Sequence, residues 1–179
     1  MTHQYIRNGQ EKFYETADHL EKEREIVEKW CATQGKIFGK LPIKYSLDYA
    51  IMQKGTNVID HFLEIKIRNI RSDSYTDYYI SYLKYRHAQV NWDNAQKQTH
   101  LLVAFTDKAQ IVRLDNILTA GASKVVMGGT FSRNDANDYE PMIQIPMTMF
   151  QDTGLTSPSN AIRRGGVDLT QPVQWIEWP

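Results

Sequence analysis

The sequence predicts a mixed α/β domain with helices packed on a central sheet, and three observations carry that prediction. An early stretch repeats its apolar residues at helical spacing. Two later segments alternate at strand spacing about a short polar turn. A compact apolar run, LLVAF, follows further on.

The helix is expected from about Thr16 to Gln34. Thr16 or Asp18 can cap its start and Gly35 ends it. Ala17, Leu20, Val27, Trp30 and Cys31 recur at three- and four-residue steps and make one face, and Glu23 points inward with that face. Lys36 to Pro42 is a bridge or first strand. Lys44 to Met52 alternates as a strand, with Tyr45, Leu47, Tyr49 and Ile51 on one side and Ser46, Asp48 and Ala50 on the other. Gln53 to Asn57 is a turn. Val58 to Arg68 is a second strand. It puts Ile59, His61, Leu63, Ile65 and Ile67 on one side and Phe62, Glu64, Lys66 and Arg68 on the other. The short loop between the two strands predicts an antiparallel hairpin.

A second helix is expected from about Asp77 to Gln98, with Tyr79, Leu83, Arg86 or His87, Val90 and Ala95 near one stripe. Leu101 to Phe105 and Gln110 to Leu114 follow as strands. Residues 117 to 126 fit no single pattern. Residues 128 to 140 are rich in Gly, Asn and Asp and predict a loop. Met142 to Met149 predicts a strand, with Pro146 at a sheet edge or a strand end.

The chain has 179 residues, enough for one domain with a real core and an appended segment. Its 41% hydrophobic and 23% charged content is that of an ordinary globular protein. No apolar run approaches the roughly 18 residues of a membrane helix. The polar N-terminal run lacks a signal peptide's apolar stretch, and the single cysteine, Cys31, cannot form an internal disulfide. A cytoplasmic location is therefore expected, with no membrane partner. Net charge is zero, but residues 36 to 71 hold Lys36, Lys40, Lys44, Lys54, Lys66, Arg68 and Arg71 against Asp48, Asp60 and Glu64. A basic stretch beside a phosphate-handling site would help binding.

The hairpin is where chemistry gathers. Pairing its strands brings Asp48 beside Glu64 and Lys66, which share a face because side chains alternate with period two. Two carboxylates there suit a hard divalent cation, with Mg²⁺ the natural candidate, and the Ile65 carbonyl between them is a third oxygen donor. Such an ion lowers the pKa of bound water and offsets charge on phosphate. Lys66 can orient that water or stabilise the transition state, and Glu23 can add a supporting acid.

The run YSLDYAIMQKGTNVIDHFLEIKIRN, Tyr45 to Asn69, resembles the core hairpin of the PD-(D/E)xK nuclease superfamily, with Asp48 on one strand and Glu64-Ile65-Lys66 as the E-x-K on the next. Leu47 stands where the family name has Pro. The preceding helix resembles the family's first, which often supplies a Glu, here Glu23. The following helix often lends a side chain to the site, which makes Lys84, Ser81 and His87 candidates. The resemblance spans about residues 16 to 118. It implies a restriction-endonuclease-like core of the α/β class, a central mixed sheet flanked by helices, with a C-terminal extension. Residues 1–15 would be an N-terminal arm and 119–179 the extension packed on the core.

The activity implied is Mg²⁺-dependent hydrolysis of DNA, with Mn²⁺ able to substitute and RNA not excluded. An endonuclease is favoured over an exonuclease, small phage-encoded nucleases share the layout, and a homodimer suits a two-stranded substrate. The competing reading is a nuclease-fold protein without catalysis that binds nucleic acid or inhibits a protein partner.

Each residue also has a plainer reading. Glu64 and Lys66 can be a surface pair, Glu23 a solvated helix acid and Lys84 a surface lysine. His61 faces away from Glu64, and His61 and His87 are expected as packing or surface histidines. The tyrosines between 75 and 85 are expected at a helix–sheet interface rather than stacked on bases. Asp135 and Asp138 are expected in a hydrogen-bonded turn rather than a cation site.

Overall fold

Alternation and helical periodicity sort this chain's apolar residues onto two faces of one sheet. The computed structural model describes residues 5–7, 11–13, 17–42, 44–129 and 139–156. The sequence-predicted loop over 128–140 and the tail beyond 156 therefore lie largely outside the described residues, Asp135 and Asp138 among them.

The chain opens with β1 (Tyr5–Arg7) paired antiparallel to β2 (Glu11–Phe13), within the segment expected as an arm. Helix α1 runs Ala17–Gln34, and Gly35 ends it with a left-handed φ of 62°. The strands β3 (Lys36–Lys40), β4 (Tyr49–Gln53) and β5 (Ile59–Ile67) form an antiparallel meander. The β4–β5 turn falls at the expected residues and uses Gly55 at φ 78°. Next come β6 (Asp77–Ser81), α2 (Tyr82–Ala95), β7 (Thr99–Ala104) and β8 (Ala109–Arg113). The chain then forms β9 (Lys124–Gly129), β10 (Tyr139–Pro146), a 3₁₀ turn at Met147–Met149, and β11 (Gln151–Asp152).

The central sheet has the order β11-β8-β7-β5-β4-β3. It is mixed: β5 and β7 run parallel, and their neighbours are antiparallel. A parallel pair needs a crossover, and the segment carrying β6 and α2 supplies it. A second sheet, β6-β10-β9, stands beside α2. The fold is of the mixed α/β class, with a central mixed sheet and two helices.

On one face of the central sheet, Ile26, Val27 and Cys31 of α1 pack against Tyr49, Ile51, Leu63, Ile65 and Leu102. On the other, Tyr85 and Ala88 of α2 join Leu101 and Val103 with Ile80, Ile143 and Ile145 of the second sheet. Residues beyond 118 thus supply part of the core. No helix among the described residues is long and apolar enough to cross a membrane.

Two sequence expectations change. Lys44–Asp48 is bent rather than extended, and the strand starts at Tyr49. A turn closed by Tyr45 N–H donating to Pro42 O diverts the chain there. The helix expected from Asp77 is a strand to Ser81 and starts only at Tyr82. The stripe moves with it: Leu83 and Val90 are exposed, and Tyr85 and Ala88 are buried.

Leu102 lies on β7 in the centre of the sheet and is fully buried. Leu102→Ala leaves a cavity between α1 and the sheet, and is expected to cost about 2–5 kcal/mol of stability. Urea denaturation of the two proteins measures it.

The α1-facing side also carries an imidazole pair, buried His61 on β5 and half-buried His100 on β7, with ring centroids 5.0 Å apart at 82°. Burial depresses both, and His100 is pushed down to about 4. The unfolded chain protonates these rings near pH 6.5, before the folded one does. Stability is therefore complete above about pH 6.5 and falls as the pH drops toward 4. His100 alone accounts for roughly 3 kcal/mol of that loss. His100→Asn is expected to flatten the acid limb of a melting-temperature profile between pH 7 and 4.5. An unchanged limb would refute this account.

Candidate active site

Leu63 and Ile65 of β5 pack toward α1, so period two sends Glu64 and Lys66 to the opposite face, toward α2. On the same strand pairing, Asp48 N–H donates to Leu63 O (3.2 Å), so Asp48 sits at the end of the β4–β5 ladder. Beyond it the chain bends away, and the next β5 amide on that side, Ile65 N–H, loses its strand partner. The Asp48 carboxylate replaces that partner: its Oδ2 accepts from Ile65 N–H at 2.9 Å. The N–H and C=O of one strand residue leave on the same side, so the Ile65 carbonyl opens into the space beside Asp48.

Glu64 has a side chain 0% exposed, a rare state for a carboxylate. Two ammonium groups flank it. Lys66 Nζ lies 2.7 Å from Oε1, an ion pair whose alignment leaves Oε1 without a hydrogen bond among the described residues. Lys84 Nζ, from α2, donates to Oε2 at 2.9 Å. Burial pushes the Glu64 carboxyl above the usual range; the charges of Lys66 and Lys84 oppose that shift, and the nearby Asp48 carboxylate adds to it. Burial works against the Lys66 ammonium too. The Glu64 and Asp48 carboxylates outweigh it and hold Lys66 above the ordinary lysine value.

Helix α2 also shapes the loop that carries Asp48. Lys84 Nζ donates to the Ser46 carbonyl, and Ser46 Oγ shares a hydrogen bond with His87 Nε2 at 3.2 Å. His87 is thus a loop anchor. Ser81, expected beside the site, serves another end: its Oγ accepts from Leu83 N–H to cap α2 and donates to Glu140 Oε2.

Glu23 reaches the group through a lysine that the sequence marks only as part of a basic stretch. Lys40, the last residue of β3, places its Nζ 3.1 Å from Glu23 Oε2 and 3.8 Å from Asp48 Oδ1. The signal for it was the β3–β4 register. Lys40 pairs with Tyr49, the neighbour of Asp48, and its Nζ lies 4.6 Å from that ring centroid. The structure therefore gathers Asp48, Glu64, Lys66, Lys84 and Glu23, with the Ile65 carbonyl beside them, and adds Lys40. Tyr78 and Tyr85 are buried as expected, whereas Tyr75 and Tyr79 are exposed rather than held at a helix–sheet interface.

Glu64, Asp48 and the Ile65 carbonyl are hard oxygen donors brought near one another at the end of the β4–β5 ladder. Such a set fits a small divalent cation. Among the described residues, no three His, Cys, Asp or Glu side chains form a metal cluster, so such an ion would keep water in its remaining positions.

A family model described as phage putative PDDEXK endonuclease matches residues 10–153. Among solved structures, the chain is similar to Hjc, a Holliday junction resolvase from Archaeoglobus fulgidus, at 8% identity over 76% of this chain and 93% of that one, with a TM-score of 0.48. It is also similar to a nuclease from a fusselovirus, at 13% identity over 79% of this chain and 90% of that one, with a TM-score of 0.47. No curated protein sequence matches this chain.

Proposed function

This chain belongs to the phage PDDEXK endonuclease family, and from that premise we propose that it is a Mg²⁺-dependent endonuclease that hydrolyses phosphodiester bonds in DNA. The observation that carries this reading is Glu64, a fully buried carboxylate held between Lys66 and Lys84, next to the residue whose amide anchors Asp48. A structural ion pair has little reason to be buried this completely, because burying charge costs more than a surface pair returns.

Glu64, Asp48 and the Ile65 carbonyl would hold the Mg²⁺. When bound, the ion would lower the pKa of a water and offset charge on the phosphate. Lys66 is one-third exposed, with a side-chain accessibility of 32%, and its ammonium is tied to Glu64. There it can hold a phosphate oxygen or the attacking water. Lys84 holds Glu64 and the Ser46 loop in register. Glu23 acts through Lys40, which keeps that acid within reach of Asp48. Glu23, Asp48 and Glu64 stand against Lys40, Lys66 and Lys84, so the cluster is balanced in charge. A phosphodiester gains little from a balanced cluster, which explains why cation and substrate binding would be coupled.

Two effects are expected of Lys84→Met. Glu64 loses one of its two ammonium partners, so its pKa rises further and the acid limb of the cleavage profile moves to higher pH. The Ser46 loop loses its tether, and the maximal rate is expected to fall roughly ten-fold. A pH series of initial rates tests both. An unshifted acid limb would remove Lys84 from the site.

The deciding experiment incubates wild-type protein and Lys66→Ala with supercoiled plasmid, single-stranded DNA, a four-way junction and RNA, each with Mg²⁺, Mn²⁺ or EDTA. Cutting that needs the metal and is lost in Lys66→Ala supports the proposal, and the preferred substrate identifies the class. A duplex has two strands, so light scattering on the same samples tests for a homodimer. No cutting by folded wild-type protein overturns the proposal in favour of nucleic-acid binding or inhibition of a protein partner.

A further inference from the structure

A second polar constellation lies on the opposite face of β5 from Glu64. A cleft of about 540 Å³ opens between the end of α1 and the starts of β5 and β7, and its lining includes Trp30, Asp60, His61 and His100. His61 is 6% exposed. Its Nδ1 lies 3.0 Å from Asp60 Oδ2, and Asp60 Oδ1 is 3.2 Å from Lys36 Nζ. The His61 hydrogen bond, with Lys36 beside it, keeps the Asp60 carboxyl below its ordinary range, so it is an ionised acceptor. The proton on His61 is therefore on Nδ1, and Nε2 carries a bare lone pair.

That Nε2 is buried without a hydrogen-bond partner among the described residues, and so is His100 Nδ1 on the neighbouring strand. Two buried, unpartnered imidazole nitrogens in contacting rings are costly unless something binds them. A carboxylate that fixes one ring's tautomer is the arrangement that supports a histidine–metal bond. The spacing agrees. Two imidazoles on one tetrahedral ion, with metal–nitrogen bonds of about 2.0–2.1 Å, have ring centroids roughly 5 Å apart, against the observed 5.0 Å. Burial also keeps both rings in the neutral, ligating form at neutral pH.

We propose that His61 Nε2 and His100 Nδ1 form a binding site for a borderline transition-metal ion of the Zn²⁺ class, separate from the carboxylate site. Nitrogen donors prefer such an ion to Mg²⁺, so the two sites would sort their metals by ligand type. The cleft leaves the remaining coordination positions to water.

The test uses the full chain carrying Asp48→Asn and Glu64→Gln, stripped with EDTA, and titrates it with Zn²⁺ in a calorimeter. Binding is expected to persist in this background and to weaken at least roughly ten-fold on adding His61→Gln or His100→Gln. Absence of binding in this background, or unchanged binding in folded histidine variants, overturns the proposal. If those variants fail to fold, Cu²⁺ electron paramagnetic resonance on the Asp48→Asn, Glu64→Gln protein decides. Nitrogen couplings from two imidazoles support the site, and a spectrum without them overturns it.

Discussion

Glu64→Gln is expected to lower metal-dependent DNA cleavage by on the order of 10³-fold or more while leaving the protein folded. Glutamine keeps the shape of the side chain and removes its charge. Without that charge, Asp48 is the remaining carboxylate beside the Ile65 carbonyl, and affinity for a hard cation collapses. The fold is expected to tolerate the change. Burial already pushes Glu64 toward its neutral form, and its partners Lys66 and Lys84, 32% and 26% exposed, can turn to water. Removing one partner of a buried pair costs about 3–5 kcal/mol where the other charge is stranded, and the partial exposure of both lysines lowers that cost. Plasmid nicking, Mg²⁺ titration and a thermal melt on one preparation measure all three quantities. Near-wild-type cleavage by Glu64→Gln would sink the assignment of this residue.

Asp48 is expected to separate into two functions when replaced in two ways. Its Oδ2 accepts from Ile65 N–H, and its Oδ1 faces Lys40. Asp48→Asn keeps an oxygen for the amide but loses the charge. Asp48→Ala loses both. Both variants are expected to lose roughly 10²–10³-fold in cleavage. Only Asp48→Ala is expected to lose about 1–3 kcal/mol of stability as well, because it strands a backbone donor beside buried Ile65. Equal denaturation midpoints for the two variants would show that the Ile65 bond does not stabilise the fold.

The facing of Glu64 and Lys66 was legible because strand periodicity is local: Ile59, His61, Leu63 and Ile65 declare one face, and the E-x-K follows on the other. Helix α1 and the β4–β5 turn were legible for the same reason, through Gly35 and Gly55. Strand β6 was not. Its five residues run directly into α2, and its partner is β10, with Ile80 opposite Ile143. Only that distant pairing distinguishes a strand from a first helical turn. The buried stripe of α2 was misplaced as a consequence. The bend at Lys44–Asp48 escaped for a related reason. Its apolar alternation is real, but Lys84 and His87 of α2 hold the chain away from the ladder. Lys40 needed the β3–β4 register before its proximity to Asp48 could be read. The role of Lys84 followed from where α2 crosses the sheet, which no local pattern encodes.

The replacement of a strand partner by the Asp48 side chain ties the site to the way the hairpin frays. Strand β5 is paired along one side by β7 past Lys66, but on the other side the ladder ends near Leu63. The last rung on that side is a carboxylate, and the same carboxylate is a candidate metal ligand. Unzipping the hairpin from this end therefore breaks a rung and removes a ligand in one motion, with the rest of the domain intact. Heat or mild denaturant would then silence the protein before melting it, and a cation bound at the fork would act as a rivet against that loss.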